Sequence, residues 1–299
     1  MRLLQDPRAR RTVKVVIRAV AVAWIVAWWV WLIGYQHTFV EVDAEAYWGL
    51  QLDGLYEDVR LGDQDAFLYS PAVALLFLPF SYIPYDVFYA LFAAINLGAL
   101  VYLVGWELAA ISLFILPVSN EIARGNIHLL LGLAIVVGFR YPAGWAWPLL
   151  TKATPGIGLL WFAVRREWRK LAIAIVVTGL IVATTFVLVP ELWIRWFTLL
   201  SGNANADHQT AITQVPLAPR IAIAAAVTAF AAWRGIPALV PVAALIALPA
   251  IWVNSLSLLV AVVPLLRGSW RAAAVDRDPD QLPIEARAGS PRLAPDDPP

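Results

Sequence analysis

Apolar runs, each closed by a small cluster of charge or by Gly and Pro, recur along the chain from Val13 to Leu266. They are too long and too uniformly apolar for the alternation of a half-buried helix or strand. A helix satisfies its own backbone hydrogen bonds inside a bilayer, so repeated runs of this kind predict spanning helices. The first runs from about Val13 to Gly34, behind a basic flank of Arg2, Arg8, Arg10, Arg11 and Lys14. That flank predicts a cytoplasmic N-terminus. With no small-residue cleavage site near its end, the run reads as a retained signal anchor. The next segment, Tyr35 to Ala66, is then outside. It carries Glu41, Asp43, Glu45, Asp53, Glu57, Asp58, Asp63 and Asp65 against a single base, Arg60, and Ala44 to Leu55 can form an amphipathic helix on the membrane surface.

Pro71 to Tyr82 is apolar but too short to cross, which predicts a re-entrant or interfacial helix. Tyr85 to Val104 spans inward, Leu108 to Val118 returns outward, and Ile127 to Phe139 comes back to Arg140. The last two fall short of the ~20 residues of a full span, a shortfall tolerated where backbone lines a protein cavity. Between Arg140 and Arg165–Arg166 the chain allows only two arms of about twelve residues, or ~18 Å each at helical rise. Thr154-Pro155-Gly156 breaks any helix there. The segment is therefore a hairpin of short helices whose apex carries Lys152 deep in the protein, toward the outer side. The basic cluster Arg165, Arg166, Arg169 and Lys170 is inside. Leu171 to Val189 crosses outward, Pro190 to about Pro216 forms an outer loop with Glu191, Asp207, His208 and Gln209, and Pro219 to Trp233 returns. Gly235 to Leu266 makes a second short-armed hairpin with Trp252 to Ser255 near its apex, and Arg267 and Arg271 put the C-terminus inside.

The expected fold is an all-α integral membrane protein, a polytopic bundle of about ten short and long membrane helices with an outer-face amphipathic segment. A basic cytoplasmic N-terminus (1–12) precedes a membrane domain (13–268), with outer loops at about 35–70 and 190–216, and a disordered cytoplasmic tail (269–299) rich in Pro, Asp and Arg. A plasma (inner) membrane location follows. No internal repeat is evident, which weighs against transporter folds built from inverted repeats.

Composition agrees. The chain is 61% hydrophobic and 14% charged, against roughly 45–50% and about 25% for soluble domains. Its 15 tryptophans suit two water–lipid interfaces. The net charge of +1 is uninformative, and the absence of cysteine excludes disulfides and thiolate chemistry.

On this topology Glu41, Asp43, Glu45, Tyr69, Glu121, Arg124, Asn126, His128, Lys152 and His208 all gather at the outer boundary. Any carboxylate of Glu41-Val-Asp43-Ala-Glu45 could act as general base toward a sugar hydroxyl, or simply be a solvated loop acid. In a helical reading, Glu121, Arg124 and His128 share one face. Glu121 could hold Arg124 while Arg124 or His128 meets a phosphate, or the group could be a structural ion pair at a helix start. Lys152 could serve as a point charge for a lipid phosphate or pair internally with an outer acid. Intramembrane charge favours the functional reading. Phe67-Leu-Tyr69-Ser-Pro71 by itself reads as a membrane-surface turn. No Gly-rich nucleotide loop, HExxH site or serine elbow is present, and nothing suggests a nucleic-acid partner. Without a globular domain to hold a soluble nucleotide-sugar, a donor arriving through the membrane fits better.

The order of motifs resembles a known family. An outer Asp43-x-x-x-Tyr47 follows the first span, then Gly54-Leu-Tyr56, Phe67-x-Tyr69-Ser-Pro71 running on to Pro79, Arg124-Gly-Asn-Ile-His128, Lys152-Ala-Thr-Pro155 and the basic Arg165-Arg-x-x-Trp168-Arg. From about Val13 to Leu200 this looks like glycosyltransferase family 87, polyprenyl-phosphate-mannose-dependent alpha-mannosyltransferases with the GT-C membrane fold. The family commonly has Gly-Gln-Val-Asn where this chain has Gly125-Asn-Ile-His128, and an Asn-Gln-Ser-like stretch where it reads Asp207-His-Gln-Thr210.

The resemblance implies a GT-C-like bundle and an inverting hexosyltransferase, with mannose as the sugar. The donor is a polyprenyl-phosphate sugar, the acceptor a lipid-linked or envelope glycan, and membrane lipids surround both. Asp43 is the implied catalytic base. Lys152, Arg124, His128 and His208 are implied on the donor phosphate, and Glu45, Tyr47, Tyr69 and Asn126 on substrate, with no cofactor and no metal. A carrier or flippase for a lipid-linked sugar, and a non-catalytic scaffold for envelope synthesis, are the rival readings.

Overall fold

The computed structural model describes residues 7–38, 43–57, 59, 66–203 and 215–268, and every described regular element is helical. Helix α1 (Pro7–Tyr35) continues into a 3-10 turn, and Pro7–Thr38 together is long and apolar enough to cross a bilayer. So are α4 (Tyr85–Val104), α10 (Trp168–Leu188) and α12 (Leu217–Arg234), within a few residues of the spans read from the sequence. Against an expectation of about ten short and long membrane segments, four helices among the described residues are long and apolar enough to cross, or five if one bent pair is counted as a span. Shorter apolar helical stretches cover Pro71–Tyr82, His128–Gly138, Thr154–Val164 and Asn254–Leu266.

The bent pair lies where the sequence predicts an outward crossing from Leu108 to Val118, and it is not one straight helix. Helix α5 (Trp106–Ser112) and α6 (Leu116–Arg124) meet at 89°. Pro117 lies in the first turn of α6. Its ring excludes the carbonyl four residues back and it brings no N–H, so one helix cannot run through. The amphipathic helix expected over Ala44 to Leu55 is also shorter. Helix α2 covers Asp43–Trp48 and stops at Gly49, and a turn with Gly54 at φ +72° follows.

Helix α4 is the most enclosed of the spans, with 56% of its apolar window buried, whereas α10 is 11% buried and presents Ile175, Val176, Leu180 and Val187 outward. A helix apolar all round belongs in lipid or a core. Helix α7 (His128–Gly138) packs on α4 and on the 3-10 stretch Asn254–Ala261. The hairpin between Arg140 and Arg165 consists of a 3-10 turn (Pro142–Trp145), α8 (Ala146–Thr151), a 3-10 stretch (Thr154–Leu159) and α9 (Leu160–Val164). Trp145, fully buried, stands edge-on to Phe139 and Phe162 and closes the hairpin's two ends on each other. Gly158 lets the arms approach, since a Cβ there would fall 2.2 Å from the Trp145 ring. The apex therefore carries Lys152, as the chain length between the basic clusters requires.

Candidate active site

Helix α2 is seated by aromatic packing. Tyr47, 1% exposed, stacks on Phe77 at 4.9 Å and meets Phe92 and the edge of Phe67. Its hydroxyl lies 2.9 Å from that of Tyr69, and the Tyr56 hydroxyl donates to the Tyr69 carbonyl at 2.7 Å. The motif Phe67-Leu-Tyr69-Ser-Pro71 thus ends on a fixed tyrosine. Pro71 opens α3 (Pro71–Phe77) as a first-turn proline, where a missing N–H costs nothing. The Ser70 N–H donates to the Leu150 carbonyl at 3.2 Å, tying this segment to α8.

Two residues beyond that tie comes Lys152, half-buried, with its ammonium 5.8 Å from the centre of the Tyr69 ring. This is cation–π distance. Ala153 has φ +50° and ψ −57°, and the Thr154 N–H donates back to the Lys152 carbonyl at 2.6 Å. These make a γ-turn of the positive-φ kind, rare and strained for a residue with a Cβ. Pro155 then starts the next 3-10 stretch, so the turn cannot relax into continuous helix.

The other wall comes from the end of α6. Gly125 terminates that helix in the left-handed region, at φ +64°. A Cβ on Gly125 would lie 2.6 Å from the Cβ of Ala44, so only glycine permits this approach of α6 to α2. The contact brings Asn126 beside Asp43. The Asn126 Oδ1 accepts the Ile127 N–H at 2.7 Å, and its amide group hydrogen-bonds the Asp43 carboxylate. With Oδ1 committed to the backbone, the amide N–H2 is the end turned to Asp43. Asp43 is half-buried, and burial raises its pKa above the ordinary carboxylate value. The Asn126 hydrogen bond and the Lys152 charge oppose that rise, and the Glu121 charge adds to it.

Glu121 and His128 are both fully buried, and they pair with each other at 2.9 Å through Nδ1. Glu121 also accepts the backbone N–H groups of His128 and Leu129, capping the first turn of α7. The other ring nitrogen of His128 lies 3.2 Å from the Ser255 hydroxyl, which itself accepts the Trp252 N–H at 3.1 Å. His128 was expected on a phosphate. Its burial and two engaged nitrogens make it instead the link between α6, α7 and the stretch from Asn254. Glu121 holds His128 across the end of α6, and the face expected to carry Glu121, Arg124 and His128 on one helix is broken at Gly125. Arg124 lies half-buried at that helix end.

Asp43, Asn126, Lys152, Tyr47 and Tyr69 are therefore brought together. Glu45 is exposed on α2, and Glu41 and His208 lie outside the described residues. The residues that sequence reasoning did not single out are Asn254, whose side chain also hydrogen-bonds Glu121, and Ser255. Their one signal was polarity within an apolar stretch. Nothing in the sequence marked Ala153.

The family model for glycosyltransferase family 87 matches residues 67–262. The chain belongs to this family. No curated protein and no solved structure matches it. The matched stretch includes Tyr69, Asn126, His128, Lys152 and Ser255, while Asp43 and α2 precede it. Family membership makes the protein a membrane glycosyltransferase, which acts on a sugar donor and a glycan acceptor.

Proposed function

We propose that this family 87 protein transfers a hexose, mannose by the resemblance, from a polyprenyl-phosphate donor to a hydroxyl of a lipid-linked or envelope glycan. The reaction takes place at the outer face of the inner membrane. The observation that carries the reading is the shared site of Asp43 and Lys152: a carboxylate oriented by Asn126, and an ammonium set over Tyr69 close enough to act on that carboxylate. Asp43 takes the proton of the acceptor hydroxyl as its oxygen bonds the anomeric carbon. The bond from that carbon to the phosphate oxygen breaks on the opposite face, its electrons leaving with the phosphate, so the configuration inverts. Lys152, joined by Arg124, stabilises the charge that develops on the leaving phosphate. His128 acts as a positioning residue. A carrier for the same lipid-linked sugar would use the cations but has no need of a base.

The test is Asp43→Asn in proteoliposomes supplied with radiolabelled polyprenyl-phosphate mannose and an extracted lipid pool. Loss of a general base predicts a fall of about 10²–10⁴-fold in labelled product, with the protein still eluting as a folded monodisperse species. Undiminished transfer by that variant refutes the assignment. Labelled donor crossing the bilayer without product identifies the carrier.

A further inference from the structure

Helix α12 carries one charge, Arg220, ahead of its closing Arg234. A charge in a helix long enough to cross a bilayer calls for a partner or a task. Arg220 is 6% exposed, and its guanidinium is engaged by backbone carbonyls. Nε donates to Val215 at 2.9 Å, Nη1 to Leu248 at 2.6 Å and to Ile246 at 3.3 Å, and Nη2 to Pro249 at 2.7 Å. The carbonyls of Ile246, Leu248 and Pro249 lie at and just beyond the end of α13 (Leu239–Ile246). The last carbonyls of a helix lack partners within it and form the negative end of its dipole, so a cation rich in N–H groups satisfies them. A planar fork spans several of them at once, which a compact ammonium does not. The turn 246–249 is thereby clamped to the start of α12.

From that turn the chain leads directly into the 3-10 stretch Asn254–Ala261, which backs the candidate site. The Asn254 side chain hydrogen-bonds Glu121, and the Ser255 hydroxyl joins the Trp252 N–H to the His128 ring. Gly132 lets the stretch lie close on α7, since a Cβ there would fall 3.2 Å from that of Ala261. Glu121 accepts the N–H groups of His128 and Leu129, and Asn126 Oδ1 accepts that of Ile127. The loop that carries Asn126 is therefore held from behind by Glu121 and His128, and these by Asn254 and Ser255. A continuous set of hydrogen bonds of this kind can carry a displacement from one end to the other.

We infer that Arg220 is a positioning residue for the transfer reaction: by clamping the turn 246–249 it sets the stretch Asn254–Ala261, which seats the loop that turns Asn126 toward Asp43. The inference rests on the transferase reading above. Arg220 acts through Asn126 and not on substrate.

The test uses the full chain in proteoliposomes with polyprenyl-phosphate mannose and an extracted lipid pool. Arg220→Lys keeps the charge and loses the fork. It is expected to lower kcat about tenfold, less than the 10²-fold of a displacement of about an ångström, with the donor KM unchanged. The Asn126 hydrogen bond pulls the Asp43 carboxyl down. Loosening it is expected to move the acid limb of the pH–rate profile to higher pH, while Lys152, Glu121 and His128, the other charged or titratable groups acting on Asp43, stay in place. In Asn126→Ala protein the same substitution should cost less than about twofold more, because the two act in series. A full tenfold loss in both backgrounds, or an unmoved limb, overturns the inference while leaving the transferase intact. A second arm needs no turnover: hydrogen exchange of the Arg220→Lys chain in nanodiscs. Faster exchange at the amides of residues 127–129 as well as at the turn supports the coupling, and faster exchange confined to residues 246–250 overturns it. Loss of folding in both Arg220→Lys and Arg220→Gln makes Arg220 a stability element and also overturns it. Absence of transfer by wild type counts against the proposed reaction alone, and the exchange comparison still decides whether the clamp reaches the loop of Asn126.

Discussion

Gly125 and Ala44 approach so closely that a Cβ on the glycine would lie 2.6 Å from that of the alanine. This contact joins the end of α6 to the start of α2 and sets Asn126 against Asp43. The proposed base thus depends on a backbone conformation at the end of α6, with α3, α4 and α5 between it and α2 in the chain.

Gly125→Ala is expected to fail on both counts. The φ of +64° costs about 1–2 kcal/mol for a residue with a Cβ, and the clash with Ala44 adds to it. Thermal unfolding in detergent reads the stability loss. Displacing α2 by about an ångström predicts a fall in transfer on the order of 10²-fold, larger than the stability change alone would give.

Asn126→Ala tests the orientation of Asp43 through pH. Burial holds the Asp43 carboxyl above its ordinary value, and the Asn126 hydrogen bond pulls it down. A base must be deprotonated to act, so activity rises as pH increases through the Asp43 pKa. Removing the amide takes away the downward pull, and the acid limb of the pH–rate profile is expected to move to higher pH. The rate on the plateau falls about tenfold as one charged hydrogen bond is lost. An unmoved limb would separate Asn126 from the base.

Lys152→Met removes the cation assigned to the leaving phosphate. A loss of about 10²–10³-fold in kcat is expected, the magnitude seen when one donor to a developing oxyanion is deleted. Lys152→Arg should restore little, because the γ-turn at Ala153 and the Tyr69 ring fix a compact ammonium and not a broad planar fork. Single-turnover rates in proteoliposomes distinguish the two substitutions.

His128→Phe keeps an aromatic ring but removes the imidazole from Glu121, which retains Asn254 and the backbone N–H groups of residues 128 and 129. The lost buried hydrogen bond predicts a fall of about 1–3 kcal/mol in stability. The donor KM should stay unchanged in the folded fraction, because the buried imidazole meets Glu121 and Ser255 and not the substrate. A selective rise in donor KM would return His128 to the phosphate.

The long spans were legible in the sequence because hydropathy is a local property and a bilayer demands about 20 apolar residues in a row. Val13 to Gly34, Tyr85 to Val104, Leu171 to Val189 and Pro219 to Trp233 all fall within observed helices or a residue or so of their ends. Lys152 at a hairpin apex followed equally from the sequence, since two short arms between basic clusters cannot cross twice. Tertiary structure alone decided which polar side chains meet. The pairing of Asn126 with Asp43, the sequestering of His128 by Glu121 and Ser255, and the placing of Lys152 over Tyr69 all join residues far apart along the chain. Such contacts depend on how helices seat against one another, through glycines such as Gly125 and breaks such as that before Pro117. Neither local polarity nor helical spacing encodes that seating.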